Sequence, residues 1–99
     1  MKRVARSIVQ AVTPSRIMLF GSGAREEMGP KSDIDLLVAI RDGDRREAMK
    51  CILRAIRHEE GQPLLDPYVV HEAQMVQWKD NESTVIPAVL REGRTLYAA

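Results

Sequence analysis

Apolar residues recur along this chain with two different periods, and the switches between them mark its elements. Val4, Ile8, Ala11 and Val12 share one face at helical spacing, which predicts a helix over residues 2–12 ended by Thr13-Pro14. Residues 16–20 are a short apolar run that reads as a buried strand, broken by Gly21. Ser22 suits the N-cap of a short helix over about residues 23–28, and Gly29-Pro30 signals a turn. Strict alternation follows over residues 33–40. Asp33, Asp35, Leu37 and Ala39 face one way, against Ile34, Leu36, Val38 and Ile40, so one face of this strand is wholly apolar and the other starts polar.

Asp42-Gly43 is a further turn, and Asp44 with Glu47 reads as a capping box. It opens a helix to about residue 58, with Met49, Ile52, Leu53 and Ile56 directed at the core. Gly61 and Pro63 close that unit before a third strand at 64–70. Residues 72–79 form a weaker helical segment, and 83–92 a final helix with Ser83 as cap and Gly93 just past its end. Thr95, Leu96 and Tyr97 supply a last short strand. This order predicts an α/β (α+β) domain, a single sheet with helices packed on it. The connections by themselves favour parallel pairing, but periodicity leaves strand order open.

Composition narrows the function more than the fold. The 99 residues predict one domain over 1–99, with a modest core, since a chain of this size buries roughly 60–70% of its unfolded surface. A net charge of +1 argues against a dedicated nucleic-acid binder, so no direct nucleic-acid contact is expected. The single cysteine, Cys51, excludes an intrachain disulfide, fits a reducing cytoplasmic setting, and reads as a buried structural thiol within an apolar stripe. No apolar run approaches the ~20 residues needed to cross a bilayer, and the segment after Met1 is too interrupted by polar residues for a signal peptide. His71 has no second His or Cys at ligand spacing, and Met75 and Trp78 read as packing residues. Arg45, Arg46, Lys50, Arg54 and Arg57 form a basic helical stripe that reads as a solvated face.

The chemistry is concentrated between Gly21 and Leu36. A Gly-Ser turn opening a helix offers free backbone N–H groups to a phosphate. Ten residues lie between Ser22 and Asp33, and Asp33 and Asp35 then project from the same side of a strand. Paired carboxylates can hold Mg²⁺ beside that phosphate. Asp66, between Leu65 and Pro67 in an apolar strand, is a third carboxylate whose placement is costly without a partner such as a metal. In a nucleotidyl transfer, Asp33 and Asp35 would be shared ligands of two metal ions, and Asp66 would bind the second ion or take the proton of the attacking hydroxyl. Ser22 would hold the β and γ phosphates of a nucleoside triphosphate, and Arg25 would neutralise phosphate charge.

The pattern Gly21-Ser22-x-Ala24-Arg25 followed by Ser32-Asp33-x-Asp35-Leu36 resembles the DNA polymerase β-like nucleotidyltransferase superfamily. The small size, and the ending from Val89 to Tyr97, resemble the minimal nucleotidyltransferases within it. The resemblance implies a mixed sheet whose strands 16–20, 33–40 and 64–70 carry the site. It also implies Mg²⁺ on the two motif aspartates, with Asp66 as the third carboxylate by strand order. The chain departs from the pattern at Glu26, where the family often has Gly. Pro67 removes a backbone donor and predicts an edge strand or a bulge.

Larger members hold nucleotide and acceptor with a second domain, for which this chain is too short, so it is expected to act with a partner or through an open site, as a homo- or hetero-oligomer. Minimal nucleotidyltransferases of this type are commonly paired with a HEPN-domain protein. The resemblance implies an antitoxin that transfers AMP from ATP to a tyrosine of a HEPN toxin. The rival reading is a non-catalytic nucleotide-binding antitoxin that acts by occlusion. Transfer to a small molecule such as an aminoglycoside is a third, for which the sequence supplies no acceptor pocket.

Overall fold

A computed structural model of the protein describes residues 2–21, 34–57 and 65–99. The elements in chain order are α1 (Lys2–Val12), β1 (Arg16–Phe20), β2 (Ile34–Ile40), α2 (Arg45–Ile56), β3 (Leu65–His71), α3 (Glu72–Gln77), α4 (Ile86–Glu92) and β4 (Arg94–Ala98). The strands form one sheet in the order β3-β2-β1-β4. β1 pairs antiparallel with both β2 and β4, whereas β2 and β3, joined through α2, run parallel. The sheet is therefore mixed, as the family resemblance implies, although the connections by themselves favour parallel pairing. β3 lies at an edge, where the missing N–H of Pro67 is tolerated.

Helices cover both faces. On one, Val4 and Ile8 of α1 and Ile52 of α2 pack over Ile17, Leu19, Leu36 and Val38. On the other, Met75 of α3 and Ile86 and Val89 of α4 pack over Met18, Phe20, Leu37 and Ala39. Two buried faces explain why residues 17–20 of β1 and 36–40 of β2 are apolar throughout. Between Ile17 and Met18 the register with β4 slips by one residue, so Leu96 and Tyr97 both pack toward the α1 side.

The ends of the elements follow from local chemistry. Thr13 takes a left-handed φ of 48° after α1, and buried Pro14 prevents the helix from continuing. The Asp44 side chain accepts from the N–H groups of Arg46 at 2.8 Å and Glu47 at 3.4 Å, which caps α2 as the sequence predicts. Ala11 and Leu53 are exposed, although their spacing placed them on core faces; each lies at the margin of its helix's apolar stripe. The fourth helix starts at Ile86 rather than beside Ser83. The Asn81 side chain accepts from both the N–H and the hydroxyl of Ser83, at 3.1 and 2.6 Å. Thr84 Oγ1 donates to the Asn81 carbonyl at 2.8 Å. These side-chain turns compete with the helix. Pro87 then occupies its first turn, where no N–H is needed. Gly93 ends α4 with an ordinary φ of −71°, so it is not there for a left-handed turn. A Cβ at Gly93 would press on the Val89 carbonyl and lie 3.0 Å from Met18 Cε.

Ile52 is completely buried between α1 and the sheet. Ile52→Val, which deletes one methylene group, is expected to lower stability by about 1 kcal/mol. Urea denaturation should show a lower midpoint with an unchanged slope.

Candidate active site

The parallel register of β2 and β3 sets Asp35 directly opposite Asp66. The antiparallel register of β1 and β2 sets Phe20 opposite Asp35 on its other side. The carboxylates thus occupy neighbouring strands at one end of the sheet, where β1 finishes and β2 and β3 begin. Period-two alternation places Asp35 on the face of Leu37 and Ala39, and Asp66 on the face of Tyr68 and Val70. Both therefore belong to the α3/α4 side of the sheet. Asp35 is half-buried and Asp66 exposed, so the pair opens to solvent at its β3 edge.

Gly21 closes against this pair. Its φ is +72°, in the left-handed region, and a Cβ built there would lie 2.7 Å from Asp35 Oδ2. Backbone conformation and the carboxylate next to it thus both require glycine at this position.

An aromatic floor lies beside the carboxylates. The rings of Phe20 and Tyr68 meet at 5.6 Å with a 54° tilt, across the intervening β2. The Tyr68 hydroxyl donates to Asp66 Oδ2 at 3.3 Å. Burial raises the Tyr68 pKa above the ordinary phenol value, reinforced by the negative charges of Asp66 and Asp35 and by the hydrogen bond to Asp66. The phenol therefore stays protonated, and a donor, at neutral pH. Neither aromatic residue is singled out by the sequence pattern. The available signals were that Tyr68 follows Asp66 by two residues, hence shares its face, and that Phe20 immediately precedes Gly21.

Of the site residues predicted from sequence, the structure brings Gly21, Asp35 and Asp66 together. Ser22, Arg25 and Asp33, with the short helix over 23–28 and Glu26, lie outside the described residues. No cluster of three His, Cys, Asp or Glu side chains suited to a metal occurs among the described residues. His71, read from sequence as no zinc ligand, instead pairs through Nε2 with the Gly43 carbonyl at 2.7 Å, tying the end of β3 to the loop before α2. Two adjacent carboxylates, one of them exposed, form a hard oxygen donor set that suits Mg²⁺.

The model of the polymerase beta nucleotidyltransferase family matches residues 3–99. Among solved structures, a candidate nucleotidyltransferase from Sulfolobus solfataricus is 18% identical with a TM-score of 0.64, covering 98% of this chain and 76% of its own. A toxin-antitoxin complex with AMP-PNP is 21% identical with a TM-score of 0.60, covering 99% of this chain and 73% of its own. Spectinomycin adenyltransferase AAD(9) from Enterococcus faecialis, with ATP and spectinomycin, is 17% identical with a TM-score of 0.65. The match covers 98% of this chain but only 53% of that enzyme. A mutant of the toxin-antitoxin MntA-HpeT shares the fold at 19% identity and a TM-score of 0.60. No curated protein matches at a significant level.

Proposed function

This chain belongs to the polymerase β nucleotidyltransferase family, and from that premise we propose that it transfers AMP from ATP to a hydroxyl of a partner protein, as the antitoxin of a HEPN/MNT toxin–antitoxin pair. One observation carries the reading: Asp35 and Asp66 stand opposite one another in register, with Gly21 closed against Asp35. Like charges directly opposite on neighbouring strands oppose folding. Two facing carboxylates would hold a divalent cation between them, whereas a surface that only occludes a partner has no use for such a donor set. The toxin–antitoxin structures of the same fold support a toxin partner, and the AMP-PNP in one of them supports an adenine nucleotide.

In this reading residues 1–99 act as one minimal nucleotidyltransferase domain. Ser22, Gly21 and the N–H groups after them hold the triphosphate, and Arg25 neutralises its charge. Asp33, Asp35 and Asp66 would hold Mg²⁺, which when bound stabilises charge on the attacking and leaving oxygens. The acceptor oxygen bonds to the α-phosphorus, the bond to the β-phosphate oxygen breaks, and pyrophosphate leaves. Asp66, the more exposed carboxylate, is placed to take the acceptor's proton or to serve as a ligand. Among the described residues no helix is long and apolar enough to cross a membrane. The lone Cys51 supports a cytoplasmic setting as part of the proposal.

The test is incubation of the purified chain with its cognate HEPN partner, Mg²⁺ and ATP labelled at the α-phosphate. Label on a hydroxyl of the partner is the expected result. A tight complex without label would establish occlusion instead, and neither complex nor label would overturn both readings.

A further inference from the structure

We infer that Tyr68 is a positioning residue that holds the Asp66 carboxylate in place for metal binding. The inference rests on the reading of Asp66 as part of a metal-dependent transfer site. Asp66 is exposed and lies on an edge strand, so packing does little to fix its side chain. What reaches it is the Tyr68 hydroxyl, donating to Oδ2 at 3.3 Å from two residues along the same face. That hydroxyl is itself well anchored. Its ring rests on Phe20 with centroids 5.6 Å apart, and Phe20 is buried against the core under α3 and α4. The connection therefore runs from the core, through two rings, to one oxygen of Asp66, leaving the other oxygen available as a ligand. A phenylalanine would pack equally well on Phe20, so packing does not account for the hydroxyl. A partner that orients a metal-binding carboxylate does account for it.

Tyr68→Phe separates the hydroxyl from the ring. Removing a group that orients a metal ligand typically costs 10–100-fold in affinity or activity, and the long 3.3 Å bond argues for the lower end. In the full chain, Mn²⁺ affinity, read from the electron paramagnetic resonance signal of free Mn²⁺, is expected to weaken about tenfold. The turnover number for AMP transfer should fall by a similar factor, with the KM for ATP changed less than about twofold. The melting temperature should stay close to wild type in Tyr68→Phe and drop in Tyr68→Leu, which also loses the contact with Phe20. Unchanged Mn²⁺ affinity in Tyr68→Phe would overturn the inference, as would a wild-type chain that binds no Mn²⁺. An AMP adduct on Tyr68 in the intact mass of wild type treated with ATP and Mg²⁺ would also overturn it, because the hydroxyl would then be an acceptor. If wild type binds Mn²⁺ but transfers no nucleotide, the proposed transferase function fails while the Mn²⁺ comparison still decides the role of Tyr68.

Discussion

Asp35→Asn is expected to reduce AMP transfer at least about a hundredfold while leaving the fold in place. Asparagine keeps the shape of aspartate but removes the charge that, in the proposed mechanism, would hold a divalent cation. Even groups that only orient metal ligands cost 10–100-fold when lost. A ligand between two strands, opposite Asp66 on one side and Phe20 on the other, should cost more. Stability should respond differently. Taking one charge from two that face each other across the strands relieves repulsion worth roughly 0.2–1 kcal/mol. The melting temperature should therefore stay close to wild type or rise slightly. Asp33→Asn, on the alternation that relates it to Asp35, is expected to lose transfer in the same way. The measurement is label transfer to the partner beside a thermal melt of each variant. Transfer that survives in both would rule out the metal-dependent mechanism, and a collapsed melt would make Asp35 a structural residue rather than a ligand.

Much of this arrangement is legible in the sequence because its strands and first two helices obey simple periods. The helix at 2–12 and the strand at 16–20 have the predicted bounds. The alternation in β2 identifies the face that carries Asp35. Pro67 correctly marks an edge strand, because its missing N–H is a local property. What the sequence leaves open is non-local. The antiparallel pairing of β1 and β2 depends on the whole sheet, not on residues between them. The slip that turns both Leu96 and Tyr97 inward is a register feature with no periodic signature. Ser83 misleads as a cap because its hydroxyl is taken by Asn81, two residues away, through a turn that competes with the helix. The site divides along the same line. Paired aspartates can be recognised from spacing, but the opposition of Asp35 and Asp66 requires the register of two strands separated by a helix. The reach of Phe20 to Tyr68 over β2 depends on the order of three strands.

The position where sequence and site meet most tightly is Gly21, and Gly21→Ala is expected to damage both stability and activity. Two costs add there. A side chain forced to a φ of +72° is strained by on the order of 1–2 kcal/mol. The new Cβ would also lie 2.7 Å from Asp35 Oδ2, closer than van der Waals contact allows, so the carboxylate or the end of β1 must move. The first cost belongs to the turn and the second to the carboxylate pair. A double-mutant cycle with Asp35→Ala separates them, since removing the carboxylate removes the clash but leaves the backbone strain. Gly21→Ala by itself should lower the unfolding free energy by roughly 1–3 kcal/mol. In the Asp35→Ala background the penalty should shrink, giving a coupling of about 0.5 kcal/mol or more. Denaturant midpoints of the four proteins measure it directly. Nucleotide transfer by Gly21→Ala should fall about tenfold or more, because displacing the Asp35 carboxylate disturbs ligand geometry as losing an orienting group does. A coupling of zero would mean that Gly21 serves the turn alone. A clear coupling with transfer intact would mean that Asp35 tolerates displacement, which a rigidly placed metal ligand does not.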